Sequence, residues 1–274
     1  MSRRSSDTVS QSVDEQVLLV DVGNANTVFG LLRGGVLGEP LRLATDRSRT
    51  ADEFGALLLP LTRRIGLEPD AVEALVVSSV VPPLNPVVRS LAEDYFGCRA
   101  IFVEPGVRTG MPIRHDHPGE VGADRIVNAV AAREHYGAPV VVVDFGTATV
   151  FDVVDPGGAY IGGIIAPGIA ISAEALFAQA SKLFRVDLHR PPQLIGRNTQ
   201  AAMQSGIYYG ALGLVDGILS RLHAEIEGLE RVVSTGGQAG LIAEASEQIT
   251  DIDTLLTLKG LELIYRRNRA TWRR

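Results

Sequence analysis

Two short apolar runs in this chain each end in an aspartate with a glycine two positions on. The first is Leu18-Leu19-Val20-Asp21-Val22-Gly23, continuing Asn24-Ala25-Asn26-Thr27-Val28-Phe29. The second is Val141-Val142-Val143-Asp144-Phe145-Gly146, continuing Thr147-Ala148-Thr149-Val150-Phe151. A strand that stops in Asp-x-Gly before a tight hairpin places a carboxylate at the strand end. It also places backbone N–H groups where glycine lets a ligand come close. Successive N–H groups make an anion-binding concavity, and the carboxylate can hold a cation directly or through water. Two such turns facing one cleft would form a phosphate clamp, the geometry that phosphoryl transfer needs. A single turn of this kind is also an ordinary hairpin, because Asp and Gly suit turns for local reasons. The two align with a one-residue gap, about one domain length apart, which points to a duplicated domain.

A third candidate lies between them. Val121-Gly122-Ala123-Asp124-Arg125-Ile126-Val127-Asn128 puts a carboxylate beside a guanidinium. Asp124 reads either as a first-turn acid that complements a helix dipole or as a general base for an alcohol. Arg125 and Arg108 offer planar forks to an anionic substrate group. Ser234-Thr235-Gly236-Gly237-Gln238-Ala239 reads as a strand-to-helix turn, with glycines that would let a flat ring or phosphate lie against backbone. His115 and His117, two apart in a loop, read as surface polar residues or as a metal pair. Gly-x-x-x-x-Gly-Lys-[Ser/Thr], Gly-x-Gly-x-x-Gly, His-Glu-x-x-His and Gly-x-Ser-x-Gly do not occur. P-loop kinases, Rossmann dehydrogenases, zincins and α/β-hydrolases thereby lose support.

The elements that must carry these groups follow from pattern. Residues 1–15 read as a disordered tail. Strands are expected at 17–21, 27–32 and 41–44, then a helix over 51–65 that opens with Thr50 and Glu53 as a capping box. A strand at 75–81, a helix at 86–96 and a strand at 100–103 follow, then a helix over 122–136 with Ile126, Ala129, Val130 and Arg133 at helical spacing. A second cycle has strands at 140–144, 150–154, 160–165 and 231–234, with helices at 168–183, 198–226 and 257–267. The basic end from Arg266 reads as a solvated helix end with a frayed tail. The expected domains are 16–137 and 138–274, with the last helix able to pack back on the first.

Composition narrows the partners. Of 274 residues, 46% are apolar, enough for a sizeable core, and the formal net charge is -6, which argues against nucleic acid as a main partner. The single cysteine, Cys98, excludes an intramolecular disulfide and reads as a small apolar residue. The polar leader lacks the apolar stretch of a signal peptide, and the most apolar window, 160–180, is broken by glycines, Pro167 and Glu174. A cytoplasmic setting without membrane contact is the expectation.

The ordered blocks together resemble type III pantothenate kinases, of the acetate kinase, sugar kinase, Hsp70 and actin superfamily. The likeness runs from about Leu18 to Asn268. It rests on Asp21–Asn24, Ala44–Glu53, Ser78–Pro82, Pro105–Gly110, Val121–Asn128, Val143–Thr149, Gly163–Gly168, Ile195–Thr199 and Leu256–Leu261. The resemblance implies an α/β fold of two ribonuclease-H-like halves with a cleft between them, and ATP-dependent phosphorylation of pantothenate, the first step of coenzyme A synthesis. It implies ATP phosphates at Asp21, Val22, Gly23, Asn24, Ala25, Asn26, Thr27, Val28 and Thr147, with Mg²⁺ or another divalent cation. It implies K⁺ or NH₄⁺ at Asp144, Asp124 as proton acceptor, and pantothenate at Gly122, Ala123, Asp124, Arg125, Thr199 and His115. Family members are homodimers. Two departures from the family's pattern stand out: Ala25 occupies a position where a threonine is usual, and His115 and His117 stand where Tyr and Asn are usual. These motivate two alternatives, a non-catalytic or regulatory member and a kinase for another small hydroxy acid.

Overall fold

The computed structural model describes residues 15–179 and 185–272 and divides them into two compact units that meet between Val103 and Glu104. The tail expected over the first positions lies outside the described residues, apart from its last residue.

The first unit is built on β1 (Gln16–Val22), β2 (Asn26–Arg33), β3 (Val36–Leu37), β4 (Leu41–Ala44), β5 (Val72–Ser79) and β6 (Arg99–Phe102). The sheet order is β3-β2-β1-β5-β6, with β4 also pairing with β2. β2 runs antiparallel to β1, whereas β5 is parallel to β1 and β6 to β5. β1 is central because it is apolar on both faces: Val17, Leu18, Leu19 and Val20 are fully buried. Two helices supply the cover, α1 (Ala51–Arg64) and α2 (Asn85–Phe96). α1 starts where expected, since Thr50 Oγ1 accepts from the Glu53 N–H at 3.3 Å and Glu53 Oε2 accepts from the Thr50 N–H at 2.8 Å. The helices cross closely at Gly55, where any Cβ would overlap the Tyr95 ring. β5 lies earlier than the expected 75–81: its partner β1 ends at Val22, opposite Ser79, and two prolines follow at 82 and 83.

The second unit contains α3 (Ala123–Tyr136), β7 (Val140–Phe145), β8 (Ala148–Val154), β9 (Tyr160–Pro167), α4 (Ile169–Gln179), α5 (Thr199–Glu225), β10 (Arg231–Thr235), α6 (Ala239–Ile242), β11 (Asp251–Ile252) and α7 (Leu256–Trp272). Its sheet order is β11-β10-β7-β8-β9, with β8 and β9 antiparallel neighbours and β10 and β11 parallel ones. Counted from each unit's first long strand, both sheets follow one plan: a three-stranded antiparallel meander, then two parallel strands on the other side of strand one. The duplication expected from the Asp-x-Gly runs is therefore present as topology. The helix expected over 168–183 corresponds to α4, and its last positions lie outside the described residues.

The compact units divide ahead of the boundary drawn at 137/138 because α3 packs on β7 and along α7, within the second unit. Gly260 makes this possible, since a Cβ there would overlap the Val127 carbonyl. The basic end is corrected in part: α7 runs to Trp272 and is docked at Arg267 and Asn268, while Arg266 stays exposed and Arg273 and Arg274 lie outside the described residues. Arg267 pairs with Glu134 at 2.7 Å, and Asn268 Nδ2 donates to the Arg108 carbonyl at 2.9 Å. Cys98 is half-buried, and burial pushes its thiol up to about 11, as suits a packing residue.

Candidate active site

The N-terminus of α3 carries the first group. Gly122 is its cap, with an extended ψ, and places Asp124 in the first turn. Asp124 Oδ1 accepts the Arg125 backbone N–H at 2.8 Å. Burial raises the Asp124 carboxyl above its ordinary range, opposed by that hydrogen bond and by the Arg125 charge. The Arg125 guanidinium pairs not with its neighbour Asp124 but with Asp152 on β8, Nε to Oδ1 at 2.8 Å. Tyr160 Oη donates to the same oxygen at 2.9 Å. Asp152 is fully buried, and burial pushes its carboxyl to about 6 despite the Arg125 charge.

Asp144 is the penultimate residue of β7, paired across to Val150 on β8 and Thr235 on β10. Burial first, then the charges of Asp124 and Asp152, push its carboxyl up to about 7; a hydrogen bond from Asn128 Nδ2 at 3.2 Å opposes them. The Asn128 amide is itself oriented by α7, where Thr257 Oγ1 donates to Asn128 Oδ1 at 2.8 Å. Gly236, at φ 92°, closes over the Asp144 carboxylate where a Cβ would overlap it. Beyond Asp144 the hairpin turns through Gly146 and Thr147, both exposed, with the Gly146 N–H bonded to the Ala148 carbonyl at 3.0 Å. Gly168 backs this turn, again without room for a Cβ. A cation fits this donor set, since a carboxylate beside two others lacks counter-charge. Among the described residues no three His, Cys, Asp or Glu side chains gather as a metal cluster. Such an ion would take one carboxylate plus phosphate or water.

The first-unit hairpin has the same start and one residue more. Asp21 pairs across to Val28 on β2, and the Gly23 N–H bonds the Asn26 carbonyl at 3.0 Å. Asn24 and Ala25 are exposed at its tip, Val22 and Thr27 buried at its base. The turn is braced from β4's end. Thr45 Oγ1 donates to the Gly23 carbonyl at 2.7 Å and lies 3.0 Å from Thr27 Oγ1, and its N–H bonds the Ala25 carbonyl at 3.0 Å. Arg47 reaches Asn24 Oδ1 at 2.9 Å.

The remaining expected residues lie elsewhere on the second unit. His115 is half-buried in the loop before α3, 3.9 Å from where a side chain on Gly162 would begin, and its Nδ1 accepts the His117 N–H at 3.1 Å. Thr199 opens α5 behind the Asn198 cap and lines a cavity of about 900 Å³ with Phe145, Thr149, Ile169 and Met203. That cavity carries no carboxylate, so it can seat an apolar body but cannot supply a base. The structure thus brings together Gly122, Ala123, Asp124, Arg125 and Asp144. Asp152, Tyr160, Asn128 and Thr257 were missed by the sequence reading. One signal was present: Asp152 sits mid-strand in Val150-Phe151-Asp152-Val153-Val154, and a buried acid there demands a partner.

Two sheets of one order, each with an aspartate at the end of its first long strand and a glycine hairpin after it, define the duplicated α/β fold of the actin and sugar-kinase superfamily. In agreement, the crystal structure of a conserved protein proposed as a Baf family transcriptional activator from Campylobacter jejuni superposes with a TM-score of 0.57 at 19% identity, covering 93% of this chain and 100% of that one. At the sequence level, a model of the type III pantothenate kinase family matches residues 17–221. The type III pantothenate kinase of Pelobacter propionicus is 54% identical over 253 residues, 92% of this chain and 100% of that protein. That of Myxococcus xanthus is 54% identical over 255 residues, 93% and 100% of the two chains. This chain belongs to the type III pantothenate kinase family.

Proposed function

We propose that the chain transfers the γ-phosphoryl group of ATP to the primary hydroxyl of pantothenate, with Asp124 as the general base. The alcohol oxygen forms the new bond to phosphorus, the bond from the γ-phosphorus to the β–γ bridging oxygen breaks, ADP leaves, and the hydroxyl proton passes to Asp124. The observation that carries the reading is the placement of Asp124 in the first turn of α3, half-buried and raised by burial, within electrostatic reach of Asp144. A raised carboxyl is a better base near neutral pH than an exposed one. The phosphates of ATP are assigned to the turn Asp21–Val28 and to Thr147, and the substrate to Gly122–Arg125, His115 and Thr199. A divalent cation, and a monovalent one at Asp144, supply charge neutralisation when bound. The exposed tip of the first turn, braced by Thr45, supports an active phosphate turn despite Ala25.

Homodimer formation is part of the same reading. Ile165 (64% exposed), Leu194 (64%) and Ile195 (79%) leave apolar surface on the second unit, as a face for a second copy would. Among the described residues no helix is long and apolar enough to cross a membrane, and a cytoplasmic setting is proposed on the substrate's account. The test is coupled ADP release with ATP, Mg²⁺ and pantothenate. Turnover that depends on pantothenate is expected; ADP release indifferent to pantothenate, or greater with another hydroxy acid, would overturn the substrate assignment.

A further inference from the structure

The base assignment leaves one buried charged cluster unused. Arg125 follows Asp124 directly, yet its side chain turns away to Asp152, 27 residues on. The contact is made from the side of the guanidinium: Nε meets Oδ1, and Asp152 Oδ2 finds no hydrogen-bond partner. Tyr160 clamps the same Oδ1 from β9, and the guanidinium carbon stands 5.9 Å from the Tyr160 ring centroid. Directly across the β8–β9 ladder from Asp152 is Gly163, and a Cβ there would crowd the Arg125 Nη2 and overlap the Phe151 carbonyl. Three features of the sheet, an acid on one strand, a hydroxyl and a missing side chain on the next, therefore accommodate one guanidinium.

This arrangement has a physical cost and a physical consequence. A carboxylate with 1% side-chain exposure is tolerated only because it is paired, and such pairs are weak sources of stability. The consequence is orientation. Holding Arg125 by Nε leaves its two terminal amino groups to meet a planar acceptor, the geometry in which Arg recognises carboxylates. It also keeps a long flexible cation from collapsing onto the adjacent Asp124, where it would lower the carboxyl's basicity.

We propose that Asp152 is a positioning residue for substrate binding, acting through Arg125, with Tyr160 as the second clamp and Gly163 as the opening that admits the guanidinium. The inference rests on the reading that Arg125 contacts pantothenate, and the experiment separates the two. Pantothenate and ATP KM values are measured for the wild-type chain, Asp152→Asn, Arg125→Gln and the double variant, with folding checked by circular dichroism. Asp152→Asn keeps the volume, so pantothenate KM should rise about tenfold or more, as misplacement of a binding group does, with ATP KM little changed. In the Arg125→Gln background the same substitution should add almost nothing, because its effect has no route left. A penalty of equal size in both backgrounds overturns the proposal and leaves Asp152 a structural residue. An unchanged pantothenate KM in Arg125→Gln overturns the substrate contact and the proposal with it. Tyr160→Phe, which retains the ion pair, covers the case in which Asp152→Asn does not fold; it should raise pantothenate KM about 2- to 12-fold, the worth of one hydrogen bond, and no rise counts against the clamp. The anchor is also read without turnover. The Arg125 Nε–H should exchange slowly in the wild-type chain and fast in Asp152→Asn; fast exchange in both refutes it even if pantothenate were not the substrate.

Discussion

Replacing Asp124 by Asn isolates the proton-transfer step. The substitution keeps shape, and the amide oxygen can still accept the Arg125 N–H that Asp124 Oδ1 takes at 2.8 Å. A positioned general base typically contributes 10²–10⁴-fold, which converts to about 2.7–5.4 kcal/mol of activation free energy. Stability should barely move. Loss of a first-turn acid costs about 0.3–1 kcal/mol through the helix dipole. Against that, burial disfavours the ionised carboxyl, so a neutral amide is relieved of that penalty. Coupled ADP release should therefore fall by two to four orders of magnitude while calorimetric ATP affinity and the melting temperature stay close to wild type. The pH–rate profile of the wild-type chain should carry an acidic limb above the ordinary aspartate range, because the Asp124 carboxyl is raised. Turnover within about fivefold of wild type would refute the base role. The reaction would then rest on positioning alone, which a loose phosphoryl-transfer transition state permits.

Three further outcomes are expected. Ala25→Thr meets no backbone obstacle, since no non-glycine residue has positive φ among the described residues; one added phosphate contact of about 0.5–1.5 kcal/mol would lower ATP KM about 2- to 12-fold, and an unchanged KM would mean another group already fills that place. Turnover should be higher in K⁺ or NH₄⁺ than in Na⁺-only buffer, and equal turnover would remove the cation role from Asp144. The ligand-free chain should lose stability as pH rises: Asp144 and Asp152 hold protons more tightly folded, at about 7 and about 6, than at the ordinary 3.8, so their favourable contribution is complete below about pH 4 and is lost as pH climbs through those values. Melting temperatures at about pH 5 should exceed those at about pH 8, Asp144→Asn should flatten the difference, and a melting temperature that climbs over that interval would contradict the assignment of buried carboxyls.

The elements legible in the sequence were those with punctuation or strong pattern. α1 starts at its capping box, α5 at the Asn198 cap whose side chain takes the Ala201 N–H at 2.8 Å, and α2 stops at Gly97 with φ 59°. β3 and β11, of two residues each, are too short to show any period, and α6 is barely one turn. The end of α7 was misread because its basic residues look solvated in one dimension. Arg267 and Asn268 find their partners, Glu134 and the Arg108 carbonyl, more than a hundred positions away. The site divides along the same line. Asp21, Asp124 and Asp144 sit at turns and caps, where local sequence announces a special position. Asp152 and Thr257 act on Arg125 and Asn128, 27 and 129 positions away, across separations that no local window of sequence contains.

Charge balance ties these residues into one account. The second unit gathers Asp124, Asp144 and Asp152 around a single guanidinium, and the geometry gives that guanidinium to Asp152. Asp124 is raised by its own burial, whereas Asp144 is raised by burial and by both other carboxylates. Near neutral pH without ligand, a proton on Asp144 relieves the strain most directly. A cation bound there, as proposed, would supply the counter-charge and displace that proton. In the proposed reaction, the acid that yields its proton to a cation is distinct from the acid that accepts one from the alcohol. If Arg125 lay instead on Asp124, the base would be weakened and Asp152 would be buried without a counter-charge. Under the proposed roles, the position of one arginine separates cation binding at Asp144, proton acceptance at Asp124 and anchoring at Asp152 within one fold unit.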